Sequence, residues 1–285
     1  MTAAGDPPPM TPPTRRSLLK IVLPVALGLL LLGGAVARGF YVETHKVAHA
    51  GMAPTLSLGD RIFVRKDAYG KGRGPARGDI IVFRDPEHPD RDSIDRVIGL
   101  PGDTITVQDG AAFINGWRIP TCVAGLADVD SGEGPRAGFA VLELIGDATY
   151  LVFRDPPKHS HGEEAEEHPP RGQNEGPFTV PNNEVFVLGD NREHSDDSRY
   201  WSEGRGKGVP VDQIRGRATT VWMSQKTRRL ALSKPGSNLT AAPQCPEGFL
   251  AATCEAIGRC LSIRPPPEQM SPPAPSQSAA PTEPR

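Results

Sequence analysis

Residues 104–116 read TITVQDGAAFING, and this stretch predicts two short antiparallel strands joined by tight turns. Apolar and polar side chains alternate over Thr104–Val107, which is the period of a strand with one buried face. Asp109-Gly110 and Asn115-Gly116 are typical of hairpin turns, because both central residues of such a turn need a positive φ. Ala111–Ile114 is therefore the strand between two hairpins.

Strand patterns continue on both sides of this stretch. The other predicted strands are Arg61–Arg65, Asp79–Phe83, Ala140–Ile145, Thr149–Phe153, Glu184–Leu188 and Arg217–Met223. We find no helical periodicity beyond residue 37. The sequence therefore predicts a mainly β fold class, with one domain over residues 42–235.

An apolar run precedes this domain. Leu18–Ala37 has about the 20 residues that a helix needs to cross a bilayer, and Arg15, Arg16 and Lys20 crowd its N-terminal side. We predict a single-pass plasma (inner) membrane anchor over residues 18–37, in contact with membrane lipid. The N-terminus is then cytoplasmic and the main domain extracytoplasmic. The alternative is a cleaved export signal, of the secretory kind at Ala35-Val36-Ala37 or of the twin-arginine kind.

Proline-rich and polar segments flank the domain and interrupt it. Residues 1–17 and 265–285 predict disordered ends, because they have few apolar groups to offset the entropy of ordering. Residues 155–178 are an insertion in which His159, His161 and His168 stand beside four glutamates. We interpret this insertion as a solvated loop and predict no metal site, because the acidic run repels itself.

Four cysteines in an exported domain permit disulfides. Cys245, Cys254 and Cys260 cluster in a segment over residues 236–264 that follows the domain, whereas Cys122 stands apart. We predict that two of the C-terminal three form a disulfide. The full pairing and the alternative of free thiols stay open.

Composition excludes one class of partner. A formal net charge of −2 and an aromatic content of 6% give neither a basic surface nor a stacking platform, so we predict no nucleic-acid binding. We also predict no cofactor, and the sequence makes no prediction of oligomeric state.

Four short sequence motifs contain the residues that indicate a function. They are GMAPTL at residues 51–56, RGDIIVF at 77–83, RVIGLPGD at 96–103 and GDNREHSDDSR at 189–199. In this order, behind an N-terminal anchor, they resemble the bacterial type I signal peptidases over about residues 40–224. The resemblance implies a β-sheet catalytic domain at the outer face of the plasma membrane, which releases exported proteins by cutting after their signal peptides.

The resemblance also implies a mechanism. A serine attacks the scissile carbonyl, a buried lysine kept neutral by desolvation takes its proton, and a nearby hydroxyl helps to bind the oxyanion. The positions that match these groups are Gly51, Asp95 and His49, respectively. None of the three has the side chain that the family uses. The supporting residues match the family pattern, and they are Met52, Pro54, Gly189, Asp190, Asn191, Asp197 and Arg199.

These substitutions leave three hypotheses. The first is an inactive or impaired homologue that still binds signal peptides of exported proteins. The second is an active membrane serine endopeptidase with a rearranged site, in which Ser195, His49 and Asp95 serve as nucleophile, base and orienting carboxylate. The third is a membrane-tethered interaction domain that has lost peptide binding.

Overall fold

The computed structural model describes residues 22–30, 33–34, 41–70, 72–132, 134–156, 174–225, 229–230 and 238–275. The chain divides into two compact units, Met1–Val42 and Glu43–Arg285. In the first unit, residues 22–30 and 33–34 are helical. The predicted anchor lies partly outside the described residues. Within them, no helix is both long enough and apolar enough to cross a bilayer.

The second unit is mainly β, as the sequence predicts. Its first strands are β1 (Val42–Lys46), β2 (Arg61–Arg65), β3 (Ile80–Arg84), β4 (Asp92–Gly99), β5 (Thr104–Gln108), β6 (Ala111–Ile114), β7 (Trp117–Arg118) and β8 (Thr121–Asp130). The others are β9 (Pro135–Ile145), β10 (Ala148–Arg154), β11 (Asn174–Thr179), β12 (Glu184–Leu188), β13 (Val209–Pro210), β14 (Ile214–Ser224) and β15 (Arg229–Leu230). Each predicted strand coincides with or lies mostly within one of these. Short 3-10 turns occur at Lys66–Ala68, Val211–Gln213 and Pro267–Met270.

The strands form three sheets. The largest has eight strands in the order β1-β2-β14-β3-β4-β12-β13, with β15 paired to β14. A four-stranded sheet has the order β11-β5-β6-β7, and a three-stranded sheet has the order β10-β9-β8. Strand β1 is therefore an edge of the largest sheet.

The two predicted hairpin turns are present. Asp109 and Gly110 have φ values of 48° and 71°, and Asn115 and Gly116 have φ values of 53° and 79°. Asparagine, aspartate and glycine tolerate this left-handed region, which lets β5, β6 and β7 fold back in succession. The alternation of β5 buries Ile105 and Val107.

Two apolar clusters hold the sheets together around the later site. One contains Ile98, Ile105, Val107 and Val152, and it joins residues of all three sheets. The other contains Val47, Met52 and Leu56 together with Ile62 and Ile94 of the largest sheet. The segment that follows β1 is thus anchored on the sheet by apolar burial.

A C-terminal helix, Ala251–Ser262, contradicts the expectation that no helix follows residue 37. Its buried residues are Thr253, Ile257 and Cys260, which are spaced by one turn of a helix. The helix packs against β8 and β9, and Thr253 donates a hydrogen bond to the Leu126 carbonyl. Ile257 is the one aliphatic residue on the buried face of this helix, so the sequence pattern alone does not indicate a helix.

Two disulfides tie this C-terminal region down. Cys245 pairs with Cys254, which confirms that two of the C-terminal three cysteines pair. Cys122 of β8 pairs with Cys260 of the C-terminal helix across a sequence separation of 138. Cys122 is therefore not isolated, and the alternative of free thiols is wrong.

Two boundary predictions need correction. The insertion over residues 155–178 ends in β11, which pairs with β5; its three histidines lie outside the described residues. Residues 265–275, which belong to the tail predicted to be disordered, are held against the domain, because Met270 is fully buried and the Gly146 backbone N–H donates a hydrogen bond to the Met270 carbonyl. The tail has few apolar residues, but Met270 alone supplies a buried apolar side chain that fixes this part of it on the domain.

Candidate functional site

A turn after β1 contains Gly51, which the sequence resemblance predicts to be at the position of the nucleophile. The Gly51 residue is buried, and the backbone N–H of Leu56 donates to the Met52 carbonyl at 2.9 Å. Asn191 holds the turn from the opposite side: its backbone N–H donates to the Gly51 carbonyl at 2.9 Å and its Nδ2 to the Ala50 carbonyl at 3.2 Å. The turn is therefore fixed by residues remote in sequence.

The space beside Gly51 is bounded by two side chains that the sequence singled out. A Cβ atom built on Gly51 would lie 3.2 Å from His49 Nδ1 and 3.2 Å from Ser195 Oγ. Both distances are shorter than ordinary van der Waals contact. A side chain at this position thus requires a small shift of His49 or Ser195.

Asp95, which the sequence resemblance predicts to be at the position of the base, is fully buried in β4. Ser195 Oγ donates to Asp95 Oδ1 over a long 3.5 Å, and Asp95 Oδ2 has no hydrogen-bond partner within the described residues. Burial, followed by the negative charge of Asp197, raises the pKa of the Asp95 carboxyl well above its usual range. Burial therefore favours the protonated, uncharged form of this carboxyl, and a protonated acid is a poor proton acceptor.

His49 lies at the surface, with its Nδ1 directed toward Gly51. Loss of water around the imidazole, and next the charge of Arg91, lower its pKa, so the ring is neutral near pH 7. In the described part of the chain, no hydrogen bond joins His49 to Ser195 or to Asp95. The three residues are close together, but the ordered contacts of a Ser-His-Asp triad are not made.

The block over residues 189–199 supports this site through buried ion pairs. Asp190 binds Arg96 through two hydrogen bonds, at 2.7 and 2.6 Å, and accepts a third from Thr55 Oγ1 at 2.5 Å. Asp197 binds Arg199 at 2.7 Å and accepts the Gly189 backbone N–H at 2.9 Å. Paired in this way, these buried charges fix the backbone on both sides of Ser195.

Gly189 leaves the space that Ser195 occupies. A Cβ atom on Gly189 would lie 2.2 Å from Ser195 Oγ and 2.6 Å from the Gly51 carbonyl oxygen. No real side chain tolerates such distances. Glycine at this position therefore lets the block pack directly against the turn.

The sequence does not predict a third buried ion pair, between Arg192 and Glu143. Arg192 makes two hydrogen bonds of 2.6 Å to Glu143 of β9, and Tyr150 donates to the same carboxylate at 3.0 Å. Burial alone would raise the pKa of Glu143, but the charges of Arg192 and Arg154 outweigh it and lower the pKa. Glu143 lies in an ordinary strand pattern, so no local signal distinguishes it. Its role depends on the pairing of distant segments.

The described residues contain no group of side chains that would hold a metal ion. The site thus consists of a glycine at position 51, a buried carboxyl at position 95 and the Ser195 hydroxyl, within a framework of paired charges.

Comparison with known proteins agrees with this framework. The family described as "Signal peptidase, peptidase S26" matches residues 16–223. Signal peptidase I of Pseudomonas aeruginosa is 34% identical over 66% of this chain and 67% of its own length. Signal peptidase I of Aquifex aeolicus is 29% identical over 83% of this chain and 97% of its own length. The chain belongs to the signal peptidase family, peptidase S26.

Other relatives have the same description. Signal peptidase I of Pseudomonas fluorescens is 33% identical over 69% of this chain and 70% of its own length. A solved signal peptidase I from Enterococcus faecalis V583 is 28% identical over 52% of this chain and 98% of its own, with a TM-score of 0.28. A TM-score of this size supports no statement about shared architecture.

Proposed function

We propose that this protein is a signal peptidase homologue that binds signal peptides of exported proteins at the outer face of the plasma membrane without ordinary serine-lysine catalysis. The observation that carries the proposal is the identity of residue 51. Glycine has no side-chain atom that can attack a carbonyl, so residue 51 itself cannot serve as the nucleophile. In a serine hydrolase, loss of the nucleophile lowers turnover by about 10⁶.

The surroundings of Asp95 support the same proposal. A catalytic lysine in this place would accept a proton as a neutral amine. Burial raises the pKa of the Asp95 carboxyl and so favours its protonated form, which accepts no proton. The position of the base and the position of the nucleophile are therefore both changed in a way that opposes hydrolysis.

Retention of a peptide site is favoured by the edge of the largest sheet. Strand β1 ends at Lys46, a few residues before Gly51, and among the described strands it has a hydrogen-bonded neighbour on one side only, β2. Extended peptides commonly bind by adding a strand to such an edge. A peptide bound along β1 would lead toward the turn that contains Gly51.

Membrane attachment rests on the apolar run Leu18–Ala37 and its basic N-terminal flank. The proposal places the main domain outside the cytoplasm, where signal peptides emerge from the bilayer. Attachment to the membrane would bring the main domain and the signal peptide to the same membrane surface.

A second candidate function is endoproteolysis by Ser195. It is favoured by one observation: Ser195 Oγ and His49 Nδ1 both approach the same point beside Gly51. A rotation that joined these two atoms would pair a nucleophile with a base that is neutral near pH 7. The third candidate, an interaction domain without peptide binding, has no such observation in its favour.

Restoration of the family side chains tests the proposal. The variant Gly51→Ser/Asp95→Lys/His49→Ser restores nucleophile and base, and it also removes the imidazole that crowds residue 51. We expect this variant to cleave an exported precursor, as followed by gel electrophoresis. The matched control, Gly51→Ala/Asp95→Lys/His49→Ser, should remain inactive because it lacks only the nucleophile.

Two further results would change the conclusion. Cleavage by the unmodified protein that disappears in Ser195→Ala would establish the rearranged site. A folded restored variant that neither cleaves nor crosslinks saturably to a signal-peptide analogue would overturn peptide binding and favour the interaction domain.

A further inference from the structure

The segment that follows the family domain contains a small loop closed by a disulfide. The family match ends at residue 223, and the described chain includes residues 238–275 beyond it. Cys245 pairs with Cys254, nine positions further on, and Phe249 lies near the middle of the loop between them. We call residues 245–254 the disulfide loop. It is an addition to the part of the chain that the family matches.

Phe249 is shared by two apolar clusters. It packs against the cluster of Ala53, Val129 and Phe153. It also packs against the cluster in which Ile257 of the C-terminal helix lies on β8 and β9. The ring of Phe249 therefore connects the C-terminal helix with the first cluster, and an aromatic ring in such a place contributes a large apolar contact area.

Ala53, in the first cluster, belongs to the turn that contains Gly51. Its backbone N–H donates to the Ala50 carbonyl at 3.0 Å, and Ala53 is 4% exposed. Movement of the turn away from the cluster would expose Ala53 and the ring of Phe249 to water, which costs free energy. Contact with the ring thus restrains the turn.

Phe153, in the same cluster, is bonded to the block over residues 189–199. Its N–H donates to the Asp190 carbonyl at 2.8 Å, and its carbonyl accepts the Arg192 N–H at 3.1 Å. Between these two contacts, the Asn191 N–H donates to the turn. The cluster is therefore the apolar side of the contact between the turn and the block.

The position of Phe249 depends on covalent links. Its N–H donates to the Pro246 carbonyl at a long 3.3 Å. In the helix that follows, Ile257 is the one aliphatic residue on the buried face, and a helix of 12 residues is marginal by itself in water. One disulfide closes the loop, and the other, Cys122–Cys260, fixes the helix to β8. The disulfides therefore contribute a large part of what holds the ring in place.

We propose that Phe249 is a positioning residue for the site: held by the disulfide loop, its ring fixes the turn that contains Gly51 against the block. The turn then meets a bound peptide in one conformation, which reduces the ordering entropy that binding must offset. The effect on peptide binding rests on the proposed function. The effect on the order of the turn does not.

Amide hydrogen exchange of the full-length, disulfide-intact protein tests this role. The reporters are the N–H groups of Asn191 and Leu56, each of which donates to a carbonyl of the turn at 2.9 Å. The reference is the Asn115 N–H, which is hydrogen-bonded in the sheet of β5 and β6. Phe249→Ala should raise exchange about tenfold or more at both reporters and less than about twofold at the reference. A general loss of stability would instead raise all three equally.

Two variants in the same loop serve as controls. Leu250→Ala truncates a neighbouring apolar side chain that is 60% exposed, so exchange at the reporters should stay within about twofold of wild type. Phe249→Leu keeps a large apolar side chain and should restore most of the protection that Phe249→Ala loses.

Opening the loop tests whether the disulfide acts through the ring. Cys245→Ser/Cys254→Ser should raise exchange at the reporters to within about threefold of the level in Phe249→Ala. Combining these substitutions with Phe249→Ala should add little, because changes that remove one shared contact are not additive.

Labelling by a crosslinkable signal-peptide analogue connects the turn with peptide binding. Phe249→Ala should weaken saturable labelling about tenfold, whereas Leu250→Ala should label like wild type. Wild-type protein without saturable labelling would contradict the proposed function, and exchange at Asn191 and Leu56 would still decide the role of Phe249.

The proposal is overturned if Phe249→Ala leaves both reporters at the wild-type rate, or if it accelerates the reference amide by the same factor. Additive effects of the disulfide and ring substitutions would overturn the part assigned to the disulfide loop.

Discussion

The block over residues 189–199 and the site that it surrounds differ in how their polar groups are satisfied. In the block, Asp190 and Asp197 each bind an arginine through short, two-point contacts. In the site, Asp95 is equally buried but has one long contact to Ser195 and an oxygen without a partner in the described part. The comparison teaches that the polar groups of the block are satisfied by partners other than residues 51 and 95.

The largest expected effect comes from breaking the framework. Asp190→Ala leaves Arg96, which is 3% exposed, without its carboxylate. Removal of one partner of a buried ion pair costs about 3–5 kcal/mol of unfolding free energy. Urea unfolding followed by tryptophan fluorescence measures this loss. The exposed Asp90→Ala should change stability by no more than about 0.5 kcal/mol, and equal effects of the two variants would refute the contrast.

A smaller loss is expected where the block contacts the turn. Gly189→Ala introduces a Cβ at 2.6 Å from the Gly51 carbonyl oxygen, and overpacking of this kind costs about 1–3 kcal/mol. Gly258→Ala is the matched control in the C-terminal helix, because no atom lies within 4 Å of its Cβ. This control should gain about 0.5–1 kcal/mol from helix propensity. Thermal unfolding of both variants measures these changes in stability. A Gly189→Ala variant as stable as wild type would contradict the packing described.

The unsatisfied carboxyl predicts a dependence on pH. The folded-state pKa of Asp95 is raised above 3.8, so above about pH 4 the unfolded chain releases a proton that the folded chain retains. The contribution of Asp95 is therefore complete below that pH and is lost as pH rises toward the folded-state pKa. Asp95→Asn should remove this loss.

The difference between wild type and Asp95→Asn isolates this group. Between pH 4 and pH 8, the unfolding free energy of the variant should rise relative to that of wild type, because only wild type has the carboxyl with the raised pKa. Urea midpoints at several pH values provide the measurement. A constant difference over this range would mean that Asp95 is ionised in the folded protein.

The smallest effect is expected at His49. This residue is at the surface and makes no hydrogen bond within the described residues, so His49→Ala should change the unfolding free energy by no more than about 0.5 kcal/mol. Thermal unfolding of His49→Ala and Asp190→Ala under the same conditions compares the two losses of stability. A loss above about 1 kcal/mol would show that His49 is part of the framework.

Local chemistry accounts for what was predictable in the fold. The hairpin dipeptides at 109–110 and 115–116 specify backbone angles within two residues, and Glu184–Leu188 was predicted with the bounds observed. The C-terminal helix was missed because Ile257 is the one aliphatic residue among those it buries. The Cys122–Cys260 and Glu143–Arg192 pairs were missed because each joins segments that are distant in the chain.

At the site, the sequence by itself determined which chemical groups are present. Residue 51 has no nucleophilic atom and residue 95 is an acid, and no fold changes those facts. Only the tertiary structure decided that Ser195 and His49 flank Gly51, that Asp95 is buried beside Ser195, and that Phe249 packs against the cluster of Ala53 and Phe153. The physical reason is that covalent composition is local, whereas distance, burial and pKa depend on strands and loops brought together from remote parts of the chain.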